Sequence, residues 1–220
     1  MTSSFVVHTI PGSPAARAVM AALVEKGASF RVAALTPGAH KVEPHLSRHP
    51  FAKMPVLEHG GFSLYETQAI LRYLERVLPA PHLIPESPTE AARMDQIMGI
   101  SDWYLFPGVS GVIGFHRIVA PRLMGLVPDE AAIAAAMPRA HVVFGELSRL
   151  LGTKAYLASS QLTLADLMVA PHMDFLAQTP EWAELSRDRR NLREWLGRMN
   201  DRNGMRATTW EAVAQLALTG

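Results

Sequence analysis

The stretch IPGSPAAR, Ile10 to Arg17, sets a serine hydroxyl directly before a proline. Ser13 suits a helix N-cap, because its side-chain oxygen can accept from an unpaired N–H of the first turn, and Pro14 suits the first helical position. The same place puts an O–H beside a helix N-terminus, where negative charge is favoured, so Ser13 is either a cap alone or also a donor to an anion such as a thiolate. Two further pairs stand at matching points of the chain: Met54-Pro55 leads into a strand, and Glu66-Thr67 joins a strand to a helix. That junction offers a backbone N–H to a carboxylate, with Glu66 accepting from an ammonium. A ligand with an anionic sulfur at one end and an amino acid at the other fits these features. Thr67, read alone, is equally an N-cap.

Other chemistry finds less support. The nine histidines are scattered, and His40, His45 and His49 share one loop without the carboxylate-rich or H-E-x-x-H spacing of a metal site, so no metal is expected. Cysteine is absent, which removes disulfides, thiolate metal sites and protein-thiol nucleophiles. The dinucleotide, P-loop and hydrolase-elbow glycine motifs are also missing. With 21 Lys and Arg against 20 Asp and Glu, and no block of either sign, neither a nucleic acid nor an anionic membrane surface is an expected partner. No apolar run reaches the roughly 18 residues of a membrane span, and the N-terminus lacks the basic start of a secretory signal, so a cytoplasmic protein is expected.

The elements that must hold these residues follow from periodicity. Ser4 to Ile10 reads as a strand, Pro14 to Gly27 as a buried helix and its end, and Ser29 to Leu35 as a second strand, parallel to the first. Pro37, Pro44 and Pro50 break the next stretch, which predicts a loop with one short helix. Val56 to Tyr65 reads as an antiparallel hairpin turning at His59-Gly60-Gly61, and Ile70, Leu71, Leu74, Val77 and Leu78 recur at helical spacing. The fold class is therefore an α/β first domain of order β-α-β-loop-β-β-α, residues 1–79, then a linker at 80–88 in the proline-rich run that starts at Pro79, and an all-α domain at 89–220. In the second part Thr163 and Asp166 have capping-box spacing, with Leu162 and Leu167 placed as a hydrophobic staple.

This layout resembles the glutathione transferases, with a thioredoxin-like N-terminal domain and a helical C-terminal one. KMPVLEHGGFSLYETQAILRYL is similar to the family's stretch around its cis-proline and its Glu-Ser/Thr pair, and LTLADLMVAP to its helical capping motif. AHKVEPHLSRHPFAKMP resembles the loop of the phi class, and TIPGS its HPAS-type start. The resemblance implies a bacterial-type, serine-type cytosolic enzyme that takes glutathione as cosubstrate. Ser13 would then be catalytic, and His40, Lys41 and Lys53 would meet the glycyl carboxylate. Met54, beside the cis-proline Pro55, would pair its backbone with the cysteinyl unit, and Glu66 with Thr67 would grip the γ-glutamyl group. Lys53, Met54 and Thr67 depart from the Gln, Val and Ser usual in that class.

Conjugation of the thiolate to a small apolar electrophile is the implied function. A glutathione-dependent peroxidase or dehalogenase, and a non-catalytic ligand-binding or interaction protein of the same fold, remain alternatives. Pro11 and Gly12, with Trp103, Phe106, Ile113, Phe115 and His116 of the helical part, are candidates for the electrophile pocket, although aromatic residues at such spacings also build cores. A homodimer is implied by the resemblance, with Phe51 as a candidate for insertion into a partner subunit.

Overall fold

The computed structural model describes residues 4–78 and 80–219, and Pro79, where the sequence reading ends the first domain, lies outside the described residues. The chain divides into two compact units. One takes the chain up to His82 together with the segment from Asp201 onward, and the other runs Leu83–Asn200.

The first unit is built on a four-stranded sheet in the order β2-β1-β3-β4. Strand β1, Phe5–Thr9, pairs in parallel with β2, Phe30–Ala34, and antiparallel with β3, Val56–His59, which pairs antiparallel with β4, Phe62–Tyr65. Helix α1, Pro14–Glu25, connects β1 to β2 and stops before Gly27, whose φ of +65° glycine adopts without cost. The loop from Leu35 to Lys53 holds a tight 3₁₀ turn, Ala39–Lys41, and one short helix, α2, His45–Arg48. Helix α3, Thr67–Val77, follows the hairpin directly and buries Ile70, Leu71 and Leu74, three of the five positions that set its period. Val7, Val32 and Leu57 are level with one another across the sheet and so share one face; they are buried, as are Ala18, Val19 and Leu23 of α1, which packs on β1.

Within the second unit, α4, Pro88–Ile100, runs into a wider-wound segment, Ser101–Val119, that carries Pro107 and ends with the Ala120 N–H bonded five residues back to Phe115. Then come α5, Ala120–Met124, and α6, Glu130–Leu151, which continues through Pro138. Helix α7, Leu164–Leu176, is apolar nearly all round and buried along almost its whole length, as a helix at the centre of a bundle must be. Helix α9, Arg190–Asn200, packs on it, and α8, Glu181–Ser186, packs on α6 and α9. No strand follows Tyr65 among the described residues. Among the described residues no helix is long and apolar enough to cross a membrane.

The last stretch departs from the expected division at 89–220. Helix α10, Asn203–Arg206, packs on α1, and α11, Trp210–Thr219, packs on β2. Glu25 of α1 accepts from Arg202 at 2.5 Å and from the Gly204 N–H at 3.1 Å, while Arg17 Nη2 donates to the Met205 carbonyl at 2.9 Å. A Cβ at position 204 would stand 2.9 Å from the Ala21 carbonyl, so only glycine allows this approach. Charge pairing and close packing with α1 thus assign residues 201 onward to the first unit. The amphipathic pattern of a helix says which face it buries, not on which core.

Candidate functional site

Strand register brings the site loops to one end of the sheet. His8 of β1 lies opposite Val56 of β3, and Val56 lies opposite Tyr65 of β4. The residues just after His8, just before Val56 and just after Tyr65 therefore leave the sheet at the same end. Those are Ile10 to Ser13, Met54-Pro55 and Glu66-Thr67, the three stretches singled out by residue type. The Met54-Pro55 peptide is cis. Met54 closes toward β1, its sulfur accepting from the Ile10 N–H at 3.4 Å.

Ser13 is the N-cap of α1, with extended backbone and its Oγ accepting from the Ala16 N–H at 3.3 Å. Capping occupies a lone pair and leaves the hydroxyl proton to donate elsewhere. Glu66 holds the corresponding place at α3, but its side chain makes no cap, and its φ of +69° with ψ of 115° is a conformation that side chains with a Cβ seldom adopt. Backbone strain of that kind concentrates at sites where the surrounding fold over-determines one residue's geometry. Thr67 is the first helical residue, half-buried, beside an exposed Glu66.

The loop between β2 and β3 carries a cationic group. His40 and Lys41 stand in the 3₁₀ turn, and burial, followed by the positive charges of Lys41, His45 and Lys53, holds the His40 pKa below its usual 6.5. His40 is therefore a neutral hydrogen-bonding ring at pH 7, with its Nδ1 buried and without a hydrogen-bond partner among the described residues, and the two lysines supply the charge. His45, which the sequence reading treated only as one of the scattered histidines, fixes the other end of this loop. It is buried, and its Nε2 lies 2.7 Å from the Lys53 carbonyl. A carbonyl only accepts, so Nε2 carries a proton and donates it. The eight-residue separation of that pair carries no periodic signal. His49 is buried against Tyr65 at 4.5 Å between centroids, and burial lowers its pKa while the charge of Glu66 raises it. Among the described residues no group of three or more His, Asp or Glu side chains could hold a metal ion.

The chain matches two family models, "Glutathione S-transferase, N-terminal domain" over residues 3–76 and "Glutathione S-transferase, C-terminal domain" over residues 109–203. It is 30% identical to glutathione S-transferase F7 of Arabidopsis thaliana over 197 residues, which cover 87% of this chain and 92% of that one. The chain belongs to the glutathione S-transferase family. A glutathione S-transferase of Hyoscyamus muticus is 31% identical over 177 residues, 79% of this chain and 82% of the relative. The crystal structure of glutathione transferase F7 from Populus trichocarpa matches with a TM-score of 0.82 and 26% identity, covering 97% of this chain and 99% of that one. These relatives are phi-class enzymes, and the fold is that of the family: a thioredoxin-like α/β part followed by a mostly helical one.

The pocket candidates separate by unit. Pro11 and Gly12 lie in the loop before Ser13, half-buried. In the helical unit Trp103 and Phe106 are exposed, at 74% and 39%, and Phe115 and His116 are half-buried and edge-to-face at 5.2 Å. Ile113 is fully buried and belongs to the helical core, the ordinary fate of an apolar residue at helical spacing. One aromatic residue near Ser13 went unnoticed in the sequence: Trp210, whose indole lies on Gly12.

Proposed function

We propose that this transferase-family chain binds glutathione in its first unit and joins the glutathione thiolate, through its sulfur, to a small apolar electrophile. The observation that carries the reading is the register, which gathers a helix-capping serine, Met54-Pro55 and Glu66-Thr67 at one end of the sheet. Glutathione has an ammonium and a carboxylate at its γ-glutamyl end and a second carboxylate at its glycyl end. Glu66 answers the ammonium, and the N–H and hydroxyl of Thr67, at the start of α3, answer the carboxylate beside it. Lys41 and Lys53 balance the glycyl carboxylate, with the neutral His40 as a hydrogen-bond partner. The Met54 side chain is taken by Ile10, so its share in holding the cysteinyl unit falls to its main chain.

Ser13 accepts from Ala16 and donates its O–H to the sulfur, which also meets the positive end of α1. A Cys-type thiol titrates near ~8.5, and lowering it to ~7 asks for about 2 kcal/mol of preferential stabilisation of the thiolate. The thiolate pair forms the S–C bond directly, and the leaving group departs with the bonding pair of the electrophile, or a proton from water completes an addition. No covalent enzyme intermediate is involved.

The deciding experiment is an ultraviolet pH titration of glutathione bound to the purified protein and to Ser13→Ala. The expected result is a thiol pKa well below that of free glutathione, rising by about 1–2 units in the variant. An unshifted pKa in the wild type, or identical titrations, would make Ser13 a cap only and turn the search to ligand binding without thiol activation.

A homodimer fits the same reading. Phe51 is 65% exposed yet held edge-on by His49 and Tyr65, and the helical unit carries an apolar groove of about 490 Å³ between Ile100, Tyr104, Pro138, Val142 and Val143. A rigid exposed ring and an apolar groove are complementary features for two copies of one chain.

A further inference from the structure

Gly12 stands one residue before Ser13, and its backbone, at φ +90°, is in the region that favours glycine. An ideal Cβ placed on it would lie 2.1 Å from Cε3 of Trp210 and 2.4 Å from both Cδ2 and Cζ3. The benzene ring of the indole therefore occupies the space that any other residue at position 12 would fill. An alanine here, as in the HPAS-type start, would expel the ring.

The ring sits on an anchored support. Helix α11 packs on β2 and begins just after α10, which is tied to α1 through Arg202, Gly204 and Met205. Thr208 Oγ1 donates back to the Gly204 carbonyl at 2.6 Å, closing the turn between the two helices. Trp210 is only half-buried, so part of this fixed aromatic surface remains open.

We propose that Trp210 is a specificity-determining residue, whose indole receives the apolar group joined to the glutathione sulfur. The inference rests on the reading of Ser13 as the thiolate's donor, because it is Ser13 that brings the sulfur next to Gly12 and hence to the ring. A substituent on the sulfur begins one bond away from the atom that Ser13 holds. A large flat ring beside that point selects planar aromatic groups and extended alkyl chains, which cover it, over small or hydrated ones. Trp210 acts on which electrophile is accepted and has no part in holding glutathione.

The test is calorimetric titration of glutathione and of S-hexyl glutathione, which differs by an alkyl chain on sulfur, into wild type, Trp210→Ala and Gly12→Ala. In the wild type the hexyl group is expected to tighten binding. Trp210→Ala is expected to leave the glutathione Kd within about twofold and to remove about tenfold of the hexyl gain. Gly12→Ala, which displaces the same ring, should reduce the gain too, and the double variant should be no worse than the stronger single one. Trp210→Leu, which keeps apolar bulk under α11, is the substitute if the alanine variant does not fold. An unchanged hexyl gain in Trp210→Ala overturns the inference, as does an equal loss for both ligands, which would assign the ring to packing alone. If the wild type binds neither ligand, the glutathione site itself is refuted and this inference falls with it.

Discussion

The indole Nε1 of Trp195 donates to Asp166 Oδ1 at 2.9 Å, joining α9 to the start of α7 inside the helical unit. The same carboxylate accepts from the Leu157 N–H at 2.8 Å, the Thr163 N–H at 2.9 Å and the Thr163 hydroxyl at 2.7 Å. Asp166 is fully buried, and burial pushes its pKa up against these four donors, which pull it down. Asp166→Ala would leave three N–H groups buried without acceptors, each costing about 1–3 kcal/mol. Urea denaturation is expected to show at least ~4 kcal/mol of lost stability, large enough that the variant accumulates unfolded.

Glu66→Gly separates strain from binding. Glycine adopts the positive φ at no steric cost, so the variant should keep its stability or gain about 1 kcal/mol by thermal melting. Without the carboxylate, its Kd for glutathione should rise at least about tenfold by calorimetry. A destabilised variant with unchanged affinity would mean that Glu66 serves the fold alone.

The site loops show how much of this was legible beforehand. Val56 to Tyr65 and Thr67 to Val77 carry local signals, alternation around a glycine turn and then apolar residues at helical spacing, and both elements form as read. Ser13 is a cap because serine and proline at a helix start have one local solution. His45 against Lys53 and Trp210 against Gly12 have no such signature. They depend on how a proline-broken loop folds and on which core receives the last two helices, and chain distance hides both.

Acid should weaken the helical unit through His172. It is buried beside Ser110, 2.8 Å from its hydroxyl, and burial lowers its pKa to about 4. The unfolded chain binds that proton near 6.5 and the folded one does not, so stability is full above 6.5 and falls as the pH drops toward 4. The loss across that window should reach roughly 3 kcal/mol. Urea melts at pH 7.5 and 4.5 should show this slope in the wild type and a shallower one in His172→Gln.

Phe51→Ser should weaken self-association. If the ring of one copy fills the apolar groove of another, sedimentation should find wild-type dimers and a monomer-shifted variant whose Kd for self-association is raised about a hundredfold. A variant as dimeric as the wild type would place the interface elsewhere.

The return of residues 201 onward to α1 and β2 also sets an order of events during synthesis. Chains fold as they emerge, early regions first. Here the serine-bearing unit is started first, yet Glu25, Arg17 and Gly12 wait for Arg202, Met205 and Trp210 until the entire helical bundle has left the ribosome. The first unit is thus begun co-translationally and completed only by a long-range closure. A nascent chain arrested after α9 would carry the sheet and the serine while still lacking the aromatic surface beside it.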